Sequence, residues 1–146
     1  TISVGEAGGG TASNVVPSTA WAVVDVRFAA AAEGERVDRA IRALRPRLAG
    51  AVLTVTGGVN RPPVERTPAN AALYEAAREL AAELGWELGE GSTGGGSDGS
   101  FTAGMGVPTL DGIGPEGGGA HATDEHVLVD DLSRRVALYG RLLETL

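Results

Sequence analysis

Three short stretches of this chain hold residue types and spacings that could do chemistry. The first is Thr93-Gly94-Gly95-Gly96-Ser97-Asp98-Gly99-Ser100, placed between a strand pattern and a helix pattern. Glycines let backbone N–H groups approach a ligand closely, and a helix start adds positive potential, so an anion suits this loop. The Lys-Ser/Thr ending of a phosphate-binding P-loop is absent. The same run contains Gly95-Gly96-Ser97-Asp98-Gly99, which fits the G-x-S-x-G nucleophile elbow. Asp111 and His121, or Asp124 and His126, follow it in the Ser…Asp…His order of a serine hydrolase. An elbow needs a buried parallel strand before it, whereas Trp86–Glu90 alternates apolar residues with charges. A plain flexible turn accounts for the glycines equally well.

The second stretch, Gly118–His126, gathers both histidines with Asp124 and Glu125. His121 on a loop suits a metal ligand, because neutral imidazole matches zinc and Glu125 is close enough to support it. One histidine does not make a site, and a surface or structural histidine is the plainer alternative; His126 reads as a surface residue. The third constellation is Asn14, Arg27 and Arg61. An Asn and two Arg converging would clamp a carboxylate, since guanidinium grips carboxylate in two-pronged fashion. Taken singly, each is an ordinary turn or surface residue.

Elements must position these groups, and the pattern of the chain supplies candidates. Thr1–Ala7 and Ala20–Phe28 read as strands around a bend at Gly8–Gly10; in the second, Ala22, Val24, Val26 and Phe28 alternate with Trp21, Val23, Asp25 and Arg27. Glu35–Leu48 predicts a helix with Val37, Ile41, Leu44 and Leu48 on one stripe and five arginines on a solvated face. Ala51–Thr56 is a short strand pattern, and Gly57–Pro63 reads as a crossing between domains. Thr67-Pro68 opens a helix that Gly85 ends. Trp86–Gly91, a short helix over about 98–105, Val107–Leu110 and a long glycine loop over 112–119 follow. A final helix starts near Asp131, with Leu132, Val136, Tyr139, Leu143 and Leu146 expected to face the core. Alternating helices and strands in the second half point to an α/β layer.

Composition narrows the choice. Among 146 residues there are 23 Gly, against an ordinary usage of about 7%, with no Cys, two His and one Met; all twelve basic residues are Arg. Without Cys there are no disulfides, thiolate metal sites or Cys nucleophile. Without Lys there is no Schiff-base chemistry. His/Asp/Glu metal chemistry, Ser-His-Asp chemistry or binding without catalysis remain. Net charge is −7, which argues against a nucleic-acid partner or an acidic membrane surface. No apolar run approaches the roughly 20 residues of a bilayer span.

Taken together, the motifs resemble the zinc-dependent aminoacylase/carboxypeptidase family, which includes glutamate carboxypeptidase, acetylornithine deacetylase and succinyl-diaminopimelate desuccinylase. The resemblance rests on Gly10-Thr11-Ala12-Ser13-Asn14-Val15-Val16-Pro17, on Val24-Asp25-Val26-Arg27, on Gly95-Gly96-Ser97-Asp98-Gly99, and on Gly112-Ile113-Gly114-Pro115 running on to His121 and Glu125. It spans nearly the whole chain and corresponds to that family's C-terminal half. It implies an α/β (α+β) fold: part of a ferredoxin-like lid and dimerisation domain over 1–58, then the C-terminal part of an α/β zinc-peptidase catalytic domain over 59–146.

The resemblance also assigns roles. Asn14 and Arg27, and Arg61 by a looser match, correspond to residues holding the substrate carboxylate. Gly95, Gly96 and Ser97 line the substrate loop, and His121 matches the last ligand of a two-zinc centre. The family's other zinc ligands, its general-base Glu and a lid His lie upstream of the matched part, and two metals clamping water and a carbonyl need the full set. The expectation is therefore a hydrolase of N-acyl amino acids or short peptides, inactive as this chain alone, with at most one of its zinc ligands and no catalytic residue here. Homodimerisation through the lid or association with an N-terminal half is expected, as is a cytoplasmic location. A non-catalytic dimerisation or binding module and a serine hydrolase using Ser97 are the alternatives.

Overall fold

Period-two alternation in the first residues produces a hairpin. In the computed structural model, which describes all 146 residues, strand β1 (Ile2–Gly9) pairs antiparallel with β2 (Ala20–Val26). Ile2 lies opposite Val26 and Gly9 opposite Ala20, with a bulge between Val4 and Glu6. The ends are tied by the Thr1 ammonium, which donates to the Arg27 carbonyl at 2.7 Å, and by the Arg27 amide, which donates to the Thr1 carbonyl at 3.0 Å. The bend expected at Gly8–Gly10 lies further on, because Trp21 lies across Gly8 and keeps the glycines in the ladder.

Helix α1 (Ala31–Arg42) follows, with the Phe28 ring over Gly34 and with Val37 buried. It starts before the expected Glu35 and stops well short of Leu48. Pro46 has no amide donor and disfavours helix at the residue before it, so the turn beyond Ala43 cannot continue. Leu44 and Leu48 are left exposed. The arginines of α1 are solvated as expected: Arg36, Arg39 and Arg42 pair with Glu33, Glu35 and Asp38 at 2.6, 3.4 and 2.8 Å. Ala51–Thr56 is not a strand. Valine and threonine favour a pleated, half-buried surface only where a neighbouring strand takes up the backbone groups, and none pairs with this segment.

These elements belong to one of two compact units, Thr1–Pro63 with Thr93–Gly96; the other is Val64–Ser92 with Ser97–Leu146. The second unit holds the main apolar core. Helix α2 (Pro68–Glu83) opens on Thr67, whose hydroxyl accepts the Asn70 amide at 3.1 Å, and its last turn gives way to Gly85 at φ +87°. Ala77 and Ala81, four apart and fully buried, let helix α4 (Val129–Thr145) approach, and Leu80, Leu88, Leu138 and Leu142 close the core. Between them lie a short helix α3 (Gly99–Gly104) and a two-pair antiparallel bridge, β3 (Gly117–Gly118) with β4 (His126–Val127).

Two further expectations fail for one reason. Trp86–Gly91 and Val107–Leu110 are not strands, because no strand pairs with either; the Trp86 and Val107 amides donate to the Ala81 and Thr102 carbonyls, and side chains take further groups. Tyr74 Oη donates to the Leu88 carbonyl at 3.0 Å, and the Thr109 amide donates to Asn70 Oδ1 at 2.8 Å. Helix α4 turns a different face inward from the one expected. Leu132, Val136, Tyr139, Leu143 and Leu146 are exposed, while Asp131, Arg135, Leu138 and Leu142 are buried. The inward stripe begins with a charged pair, which a hydropathy pattern assigns to solvent. The architecture is mixed, helices with small antiparallel sheets, as an α/β class allows.

Candidate functional site

The candidate residues divide between the two units. In the first unit the glycine run lies against two arginines. A Cβ on Gly94 would stand 3.3 Å from Arg27 Cβ, and one on Gly96 would stand 2.8 Å from Arg61 Cδ. The run is glycine because the stems of both arginines occupy the space that side chains would fill. Arg27, Arg61 and Gly94–Gly96 are thus brought together, and Gly95 is pinned between them by its amide donating to Thr93 Oγ1 at 3.2 Å. The Arg27 guanidinium pairs with Asp25 at 2.9 Å, with both side chains more than half exposed. Such a solvated pair is weak, about 0–1 kcal/mol, so an incoming carboxylate could replace Asp25 at little cost. Asn14 sits on the exposed turn before β2.

In the second unit Ser97 is half-buried. Its hydroxyl is enclosed without a hydrogen-bond partner, while its amide donates to Ser100 Oγ at 3.4 Å. No imidazole reaches the Ser97 hydroxyl, so the base that a serine nucleophile requires is not hydrogen-bonded to it. His126 Nδ1 instead meets the Asp124 carbonyl at 2.8 Å. His121 is exposed at the tip of the β3–β4 hairpin with φ +66°, the one non-glycine residue at positive φ. Glu125 is exposed on the same turn.

Beneath the hairpin is a charged cluster that reading motifs along the sequence missed. Asp131, 3% exposed, accepts the Glu116 amide at 2.6 Å and Arg135 Nε at 3.0 Å, and also accepts Arg134 Nε. Burial pushes its carboxyl up. The Glu116 amide and the Arg134 and Arg135 guanidiniums outweigh that and hold it at about 2. The Trp86 ring lies 5.0 and 4.9 Å from the two guanidinium carbons, a double cation–π contact. The i, i+4 spacing of Asp131 and Arg135 was the available signal.

No three His, Asp or Glu side chains cluster where they could hold a metal ion, so these residues alone do not form a metal site. No helix is long and apolar enough to cross a membrane.

Comparison with known proteins supplies a family match. The model of Peptidase family M20/M25/M40 matches residues 3–145. A succinyl-diaminopimelate desuccinylase of Methylorubrum populi is 35% identical over 138 residues, covering 93% of this chain and 35% of the relative. One of Xanthomonas campestris pv. campestris is 36% identical over 136 residues, covering 92% of this chain and 35% of the relative. One of Methylobacterium radiotolerans is 34% identical over 138 residues, with 93% and 35% covered. The chain spans about a third of the length of these relatives.

Proposed function

Because this chain belongs to peptidase family M20/M25/M40, we propose that it is part of an enzyme that hydrolyses the amide bond of an N-acyl amino acid or short peptide. The observation that carries the reading is the pair of arginines laid along Gly94–Gly96. Their planar guanidiniums are suited to a carboxylate, and the glycines let both arginine stems lie against the loop. Arg27 and Arg61 bind and orient that carboxylate, Asn14 adds a polar contact, and Gly95, Gly96 and Ser97 line the substrate loop. The desuccinylases act on a succinylated amino acid, which by its nature carries such carboxylates.

In this reading residues 1–58 are part of a ferredoxin-like lid that also serves dimerisation, and 59–146 the C-terminal part of a catalytic domain. Zinc belongs to the complete protein. His121 is proposed as one ligand, and the other ligands, like the proton-transferring base, come from outside these residues. This chain therefore binds and orients substrate without catalysing.

The test supplies the chain with the remaining two thirds of a desuccinylase relative and zinc, and follows amine release from a panel of N-succinyl and N-acetyl amino acids. Zinc-dependent release, with KM raised at least about tenfold by Arg27→Met or Arg61→Met, is the expected result. No release over the panel with metal present, or a KM indifferent to both arginines, would refute it.

A further inference from the structure

The hairpin that ends in His121 is too short to hold its own shape. Its ladder has two residue pairs, Gly117 with Val127 and Gly118 with His126, and short isolated ladders are marginal. Its tip nonetheless keeps a histidine in the left-handed region, which residues with a Cβ resist unless their surroundings impose it. The turn itself contributes the Ala122 amide to the Gly119 carbonyl at 2.7 Å and the Glu125 amide to the Ala122 carbonyl at 3.3 Å. The hairpin's tie to the rest of the unit lies one residue below the ladder, at Glu116.

Both backbone groups of Glu116 are committed. Its amide donates to Asp131 Oδ2 at 2.6 Å, and its carbonyl accepts the Leu128 amide at 2.7 Å. The first bond ties one strand of the hairpin to helix α4, and the second ties it to the residue that leads into α4. The Glu116 carboxylate reaches Arg134 and Arg135 at 3.3 and 3.4 Å, and the same two guanidiniums hold Asp131. Trp86 packs against the core and covers both. A continuous path of contacts thus runs from the α2–α4 core through Trp86, the two arginines, Asp131 and Glu116 to the hairpin base.

We propose that Asp131 is a positioning residue for His121, fixing the hairpin through the Glu116 amide so that the imidazole is presented from a left-handed tip. The proposal rests on the reading of His121 as a functional residue. Asp130 provides an internal control. It stands in the same first turn of α4 with the same charge, but exposed, so it shares any generic interaction with the helix dipole and lacks the bond to Glu116.

The test uses the 146-residue chain labelled with nitrogen-15, without metal or substrate. Amide exchange at Glu116, Ala122 and Leu128 is followed beside that of the α2–α4 core. The strong intraresidue amide–Hα Overhauser effect of a left-handed residue is followed at His121. In Asp131→Leu the three amides exchange about tenfold faster or more and the His121 signature weakens, while core amides keep their protection. Asp131→Asn keeps an acceptor for Glu116 without burying an apolar group, and falls between Asp131→Leu and the unsubstituted chain. Asp130→Asn changes neither.

An unchanged His121 signature in both Asp131 variants, parallel loss of hairpin and core protection, or the same effect from Asp130→Asn would overturn the proposal. Because neither metal nor substrate is present, the result is independent of what His121 binds. A reconstituted enzyme unaffected by His121→Asn would overturn the reading of His121 and leave the hairpin result standing.

Discussion

Leu138 and Leu143 lie five residues apart on α4, and truncating each to alanine asks which side of that helix meets the core. Leu138 is completely buried among Ala77, Leu80, Ala81, Leu88 and Leu142, whereas Leu143 is 85% exposed. Leucine and alanine are both good helix formers, so propensity nearly cancels between the two variants. Leu138→Ala removes three buried carbon groups at about 0.8 kcal/mol each. The cavity term brings the expected loss to about 3 kcal/mol, inside the 2–5 range for such sites. Leu143→Ala should cost no more than about 0.5 kcal/mol. Urea unfolding followed by far-UV circular dichroism reads the difference. With a slope of about 1–2 kcal/mol per molar, Leu138→Ala lowers the midpoint by about 2 M and Leu143→Ala barely moves it. Equal losses, or a larger one at Leu143, would mean that the Leu132–Leu143 stripe is the buried one and would refute the packing described above.

Gly96→Ala places a Cβ 2.8 Å from Arg61 Cδ, so the arginine must swing aside; KM in the reconstituted enzyme should rise about tenfold, on the order of 1.4 kcal/mol, with the urea midpoint unchanged. Thr67→Ala removes the acceptor for the Asn70 amide and should cost about 1 kcal/mol in the same urea assay. Asp131 has its carboxyl held at about 2, below the ordinary 3.8. It therefore adds stability that is complete above the ordinary value and lost as pH falls toward 2. Urea midpoints between pH 6 and pH 2.5 should fall in the unsubstituted chain and fall less steeply in Asp131→Asn.

The elements most legible in the sequence were those specified by neighbours a few residues away. Thr67-Pro68 and Gly85 mark the ends of α2 through capping and φ alone, and the β1–β2 pairing follows from period-two alternation. Segments whose character depends on distant partners were misread. Ala51–Thr56, Trp86–Gly91 and Val107–Leu110 have strand composition, but a strand exists only with a ladder partner. On α4 the Asp131–Arg135 pair hid the inward face, because a charge neutralised by its neighbour can be buried and hydropathy cannot register the neutralisation. The candidate site divided the same way. Glycines beside arginines were visible as types, their close approach was not, and the network under His121 adds to the local Asp131–Arg135 pair contacts from Glu116 and Trp86, fifteen and more residues away.

The outward stripe of α4 also governs how the isolated chain behaves in solution. Val129, Leu132, Val136, Tyr139, Leu143 and Leu146 recur at alternating steps of three and four, a continuous greasy strip open to water. The chain bears a net charge of −7, so mutual repulsion between molecules opposes contact along that strip. Raising salt shortens the reach of that repulsion, from about 30 Å at 0.01 M to about 3 Å at 1 M, and leaves the apolar attraction in place. Low ionic strength keeps such molecules apart, and concentrated salt salts them out.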